Sequence, residues 1–188
     1  MSKKRLRGAA ALDAVAQAPP NMVAEVLDGE LHTSPRPRIR HARASSVLGV
    51  ILGGSFDGDS EPGGWILLDE PELHLGEEPD ILVPDLAGWR REHMPQLPDH
   101  AFLELAPDWA CEVLSPSTEG IDRVKKRAIY AREGVTHLWF VAPEAKVLEV
   151  FALDAGGYRL LDSWAAQALV YAPPFEALGL SLAELWLS

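Results

Sequence analysis

Two apolar runs, each interrupted by one acid, dominate the hydrophobic pattern of this chain. Trp109–Ser117, WACEVLSPS, alternates as a strand, with Trp109, Cys111 and Val113 on one face and Ala110 and Leu114 on the other. Apolar residues on both faces predict a central strand covered on both sides. Glu112 stands inside it, where a bare carboxylate costs free energy unless it is paired, protonated or metal-bound. It is therefore either a structural ion-pair member or a site residue. Buried, perturbed carboxylates concentrate at sites, which favours the second reading. Upstream, Ile81–Trp89 (ILVPDLAGW) carries Asp85 on the face shared by Ile81 and Val83. Pro84 cannot donate to a ladder, so a bulge or irregular strand end is expected there.

The remaining pattern predicts a mixed chain. Val23–Leu27 and Glu30–Thr33 flank Asp28-Gly29, a strong hairpin signal. After a Pro-punctuated loop, Val47, Leu48, Ile51 and Leu52 follow helical spacing, with Gly53-Gly54 as the stop. Trp65–Leu68, Glu72–Leu75 and Ile81–Trp89 read as consecutive short strands, hence an antiparallel meander. Leu105–Leu114 resumes extended structure. Ser117 or Thr118 is placed to cap a helix over Glu119–Arg132 that ends at Gly134. A strand at Thr136–Val141 and a hairpin (Lys146–Leu153, Tyr158–Asp162) follow. The last residues predict a packed turn and a short amphipathic helix. This order implies an α/β sheet core with few helices.

At 188 residues the chain fits one domain, expected over 21–188, behind a flexible N-terminal tail at 1–20 that carries the Lys3–Arg7 cluster. The net charge of −11 argues against a non-specific nucleic-acid coat protein but not against a local basic groove. The single cysteine, Cys111, excludes an internal disulfide and a multi-Cys zinc site. The basic start resembles that of a signal peptide, but Asp13 breaks the weak apolar region behind it. The opening residues read as a tail or an opening helix, and the protein is expected to be cytoplasmic, with no membrane partner.

On Glu119–Arg132, Asp122, Lys126 and Tyr130 recur every four residues and share one stripe. On an isolated helix this is a surface stripe with one i,i+4 ion pair. Here the helix follows the acid-bearing strand directly, so one face must look back at Glu112, and the site reading stands beside the surface one. The six histidines form no ligand pattern, although His41, at the start of the first long helix, is placed to approach a substrate.

The residues Pro84-Asp85, Glu112–Thr118 (EVLSPST), Asp122, Lys126, Tyr130 and Gly134-Val135 together resemble the bacterial putative restriction-endonuclease domain family, within the PD-(D/E)XK nuclease-like superfamily. Ala24–Leu31 (AEVLDGEL) resembles that family's opening hairpin, so the likeness runs from about Asn21 to the C-terminus. It implies a restriction-endonuclease-like mixed β-sheet core of αβββαβ type with an N-terminal and a C-terminal hairpin. It also implies a metal-dependent endodeoxyribonuclease that hydrolyses phosphodiester bonds, with Asp85 and Glu112 binding Mg²⁺ (or Mn²⁺) and Lys126 completing the catalytic set. The lysine of an E-x-K motif would fall at Leu114, so the resemblance moves that role to Lys126 on the helix. Lys125, about 100° round the helix, is expected to face solvent or phosphate.

Asp80, in a second Pro-Asp pair, is the reserve for Asp85, and Glu25, Asp122 and Tyr130 are additional candidates. Arg90, Arg91, Arg123 and Lys125 are expected to contact DNA, with Arg127 nearby and Arg36, Arg38, Arg40 and Arg43 at the first helix. The competing expectation is a catalytically inactive nuclease-fold module in protein–protein or regulatory binding. In either case the apolar hairpins and Trp residues are expected to support a homodimer.

Overall fold

The structure, a computed structural model, describes residues 5–58 and 62–186. Its centre is a six-stranded mixed sheet in the order β10-β9-β8-β7-β6-β3. These strands are β3 (Trp65–Asp69), β6 (Leu86–Arg90), β7 (Trp109–Val113), β8 (His137–Ala142), β9 (Val147–Asp154) and β10 (Gly157–Ala165). Strand β7 lies between β8, its parallel neighbour, and β6, its antiparallel one. All five residues of β7 are buried, as two apolar faces require. Trp109, Cys111 and Val113 join one core cluster, while Ala110, with Leu114 just beyond the strand, joins the other.

The first core lies under α2 (Ile39–Phe56), which contributes Ala44, Leu48, Leu52 and Phe56. Predicted to stop at Gly53-Gly54, α2 runs on to Phe56. Each interior glycine costs about 1 kcal/mol. Phe56 offsets this by packing its ring 4.8 Å from that of Phe175. The same side is closed by β11 (Leu169–Val170), β12 (Leu180–Ser181) and a 3₁₀ turn, Leu182–Glu184. The predicted C-terminal amphipathic helix is thus only a 3₁₀ turn, with Leu182 and Leu185 buried.

The second core lies under a four-stranded antiparallel sheet, β2-β1-β5-β4, and the helix that follows β7. The sheet comprises β1 (Met22–Leu27), β2 (Glu30–Pro35), β4 (Leu73–Leu75) and β5 (Asp80–Leu82). The expected Asp28-Gly29 hairpin forms, both turn residues adopting positive φ (53° and 76°), as a two-residue turn matched to strand twist requires. The meander does not form: β4 pairs with β5 in this smaller sheet, and β3 pairs with β6 in the large one. The expected single strand over Ile81–Trp89 is therefore two strands in two sheets, parted at Val83-Pro84-Asp85. Pro84 has no N–H to continue a ladder, so the chain changes sheet there.

The helix after β7, here α3 (residues 119–132), comprises an α-helical turn at Glu119–Ile121, a π-helical segment at Asp122–Lys126 and an α-helical end at Arg127–Arg132. Thr118 stands at its N-cap but makes no side-chain capping bond. Before the first hairpin, Ala9–Ala16 form α1, whose Ala11 is buried with Val26 and Ile81. The opening segment is thus partly packed rather than wholly loose; Lys3 and Lys4 of the predicted tail cluster lie outside the described residues. No helix among the described residues is long and apolar enough to cross a membrane.

Candidate active site

Glu112 projects from β7 towards α3 and is 2% exposed. Facing it, the stripe Asp122–Lys126–Tyr130 turns inward, and all three side chains are buried. Lys126 Nζ lies 3.1 Å from Glu112 Oε2, 2.9 Å from Glu25 Oε1 and 3.7 Å from Asp122 Oδ1. It also donates to the Val83 carbonyl at 3.0 Å. Tyr130 donates its hydroxyl to Glu112 Oε1 at 2.6 Å. Both carboxylate oxygens of Glu112 are thus engaged, one by an ammonium and one by a phenol.

The chain break between the sheets supplies the rest. Where β5 ends, the Val83 N–H donates to Glu25 Oε1 at 2.9 Å. Where β6 has not yet begun, Asp85 Oδ2 accepts the Val113 N–H at 2.7 Å. Backbone groups freed by the proline are thus satisfied by site side chains, as buried polar groups must be. The β6–β7 register, Leu86 opposite Cys111, sets Asp85 beside Glu112. His41, at the first turn of α2, places Nε2 3.2 Å from Asp85 Oδ1, while its buried Nδ1 has no partner among the described residues.

Three carboxylates crowd one ammonium, and at two of them, Glu112 and Asp122, burial favours the protonated form. Desolvation drives the Glu112 pKa well above the usual carboxylate range, against the pull of Lys126. Desolvation likewise raises Asp122 to about 6, with Lys126 again opposing. For Lys126, burial favours the neutral amine, but Glu112, Glu25 and Asp122 outweigh it and hold the pKa above its ordinary value. Lys126 therefore stays charged and the acid excess is left to the carboxylates. At His41 too, burial is outweighed by Asp85, and the imidazole pKa is raised.

These residues line one cleft, comprising Glu25, His41, Val83, Asp85, Glu112, Asp122 and Lys126, with Arg36 and Arg38 from the loop before α2 and Ser115, Ser117 and Thr118 from the turn before α3. Asp85, Glu112, Lys126, Glu25, Asp122 and Tyr130 thus converge, and Lys126, not Lys125, turns inward. Other expected residues lie elsewhere. Asp80 accepts the Asp28 N–H at 2.5 Å and pairs with Arg132 at 2.6 Å, so it secures the hairpin turn. Of Arg90, Arg91, Arg123 and Lys125, expected to meet nucleic acid, none lines the cleft. Arg90 stacks over Trp65 at 4.7 Å, Arg91 pairs with Asp57, Arg123 with Glu119 and Glu149, and Lys125 with Glu30. Glu25, only an additional candidate by sequence, is central beside Lys126; a single acid in a half-buried hairpin strand is the signal available for it. The contact between His41 and Asp85 leaves no signal in spacing.

An acid-rich donor set of this kind suits a hard divalent cation. Among the described residues, no three or more His, Cys, Asp or Glu side chains form a ready-made metal cage. Mg²⁺ does not demand one, because it keeps several waters and takes one or two carboxylates alongside substrate phosphate. Asp85 and Glu112 meet that sparse demand, provided Glu112 yields one of its two present partners.

A mixed sheet switching partners at a Pro-Asp turn, with a buried Glu and Lys meeting beneath it, defines an α/β fold of the restriction-endonuclease-like kind. The chain belongs to the Uma2 family, described as putative restriction endonuclease, whose model matches residues 11–183. Its fold is similar to that of a crystal structure from Anabaena variabilis described as a putative nuclease belonging to DUF820. The TM-score is 0.74 at 21% identity, over 93% of this chain and 96% of that one. No curated protein matches the chain.

Proposed function

We propose that the protein is a Mg²⁺-dependent endonuclease that hydrolyses phosphodiester bonds in DNA, with Asp85 and Glu112 holding the metal and Lys126 serving as the electrostatic catalyst. The observation that carries this reading is the convergence of Asp85, Glu112 and Lys126 in one cleft within a family described as putative restriction endonuclease. The cation would supply a water of lowered pKa and polarise a phosphate oxygen. Lys126, kept protonated by its acids, is suited to stabilising negative charge on the phosphate rather than to removing a proton. Glu25 and Asp122 hold the lysine from two other sides, and Tyr130 orients Glu112. Asp85 is fixed by the Val113 N–H and His41, leaving its carboxylate at the cleft.

One observation favours a second reading, a fold that binds without turnover: Glu112 has both oxygens taken and is nearly inaccessible. Metal-dependent cleavage of DNA by the wild type, lost in Glu112→Gln, separates the two.

A further inference from the structure

Between Glu30 and Asp57 the chain has no acidic residue, yet it carries Arg36, Arg38, Arg40 and Arg43. All four are exposed. Arg36 and Arg38 stand at the mouth of the acid cleft. Arg40 and Arg43, three residues apart, are both exposed on α2, Arg43 opposite its buried residues Ala44, Leu48 and Leu52 and Arg40 at the rim of that stripe, one turn before Ala44. Their charges are little used within the protein. Arg36 approaches Glu70 only at 3.8 Å, and Arg43 reaches a backbone carbonyl, that of Glu184, at 3.3 Å. Arg38 and Arg40 make no ion pair among the described residues, whereas Arg91, Arg123 and Lys125 are each held by carboxylates.

In a chain of net charge −11 these four guanidinium groups form a local field of opposite sign beside the site. Resting on the phosphodiester-cleaving reading, we propose that residues 36–43 are the surface on which the DNA backbone lies. Arg36 and Arg38 grip phosphates next to the cleft, and Arg40 and Arg43 grip those further along. Guanidinium groups fork onto phosphate oxygens and are weakly hydrated, so such pairs form at modest desolvation cost. Pro35 and Pro37 restrict the backbone around Arg36 and Arg38, which lowers the ordering cost. No acid stands in the first turn of α2, so the positive end of its dipole adds to the field.

The acids of the cleft repel a phosphate chain, and the arginine ridge offsets that repulsion beside the cleft without abolishing it inside. A strand is thereby held at the rim until a cation neutralises the floor. The same helix exposes Ile39 and Val50, which makes a second copy of the chain the competing occupant. Meeting through this face would bring two sets of four like charges together, which disfavours it.

The test is fluorescence anisotropy of labelled duplex DNA, with its single strand as a parallel probe, titrated in EDTA across a salt series. The quadruple Arg36→Ala, Arg38→Ala, Arg40→Ala, Arg43→Ala variant should bind at least about 100-fold more weakly at low salt. Its slope of log affinity against log salt should flatten by about three to four, roughly one for each phosphate that an arginine neutralises in the wild type. The matching quadruple Lys variant should keep the slope, and Arg90→Ala with Arg91→Ala should change neither quantity. Unchanged affinity and slope in the Ala variant would overturn the ridge while leaving the nuclease reading intact. So would a changed molecular mass by light scattering with unchanged DNA binding, which assigns the face to a second copy. A wild type that binds neither probe at low salt in EDTA would overturn the ridge, while cleavage with Mg²⁺ decides the nuclease reading separately.

Discussion

Lys126 Nζ and Glu112 Oε2 lie 3.1 Å apart, joining helix α3 to the central strand β7 at the buried floor of the cleft. The strand position where an E-x-K motif would carry its lysine holds Leu114, buried in the apolar core. The helix returns the missing charge from fourteen residues beyond Glu112. Glu25 from the opposite sheet and Asp122 from the same helix complete the enclosure, so the lysine ties three elements together.

That arrangement makes Lys126 a stability residue as well as a candidate catalyst. Lys126→Ala should destabilise the fold by about 3–5 kcal/mol, because it strands Glu112 and Glu25 without their shared cation. Urea unfolding reads this directly. Adding Glu112→Gln to Lys126→Ala should recover part of the loss, giving a coupling energy well outside simple additivity. A single-variant loss below about 0.5 kcal/mol, the size expected of an ordinary surface substitution, would mean that the buried cluster is not held by the lysine.

Asp122 offers a pH signature. Its folded pKa, about 6, lies above its ordinary 3.8, so the folded state holds this proton more tightly than the unfolded one. Stability therefore falls as pH rises from about 4 to 6, and the penalty of about 3 kcal/mol is in full force above that window. Asp122→Asn should flatten this part of the stability–pH curve and be more stable than wild type at pH 7. Parallel curves for the two proteins would show that Asp122 is not the titrating group.

Much of this site was legible because its signal is local. An acid inside a two-faced apolar strand is costly wherever the strand lies, which marked Glu112 without any knowledge of its neighbours. The four-residue stripe set the helical phase that turns Lys126 inward and Lys125 out; the π-helical segment did not disturb it. The break at Pro84 was visible as an irregularity, but not as a change of sheet, because pairing partners are non-local. For the same reason Asp80 and Asp85 looked alike in sequence: one is claimed by Arg132 from a distant helix, the other by a backbone N–H of β7. The ion pairs of Arg91, Arg123 and Lys125, residues expected to meet nucleic acid, were hidden for a related reason. Their acid partners, Asp57, Glu149 and Glu30, lie far away along the chain.

Asp85 should be needed for metal but not for folding. In Asp85→Asn the amide oxygen can still accept the Val113 N–H, so thermal stability should change little. Mn²⁺ affinity by calorimetry should fall at least about tenfold, since one of two anionic ligands is gone. Asp80→Asn, which weakens a hairpin contact instead, should show the opposite pattern: lower stability and unchanged Mn²⁺ affinity. Equal Mn²⁺ binding by wild type and Asp85→Asn would remove Asp85 from the metal site.

The most direct measurement is cleavage of supercoiled DNA by wild type and Glu112→Gln, prepared by one protocol and assayed with Mg²⁺, Mn²⁺ or EDTA. Glu112→Gln keeps the shape of the buried side chain, whereas Lys126→Ala would confound rate with stability. Wild type should nick or linearise the DNA with either metal and do nothing in EDTA, and Glu112→Gln should be inactive in all three while showing an unchanged circular dichroism spectrum. Equal cleavage by the two proteins, or none by wild type with either metal, would contradict the assignment of this cleft as a metal-dependent nuclease site.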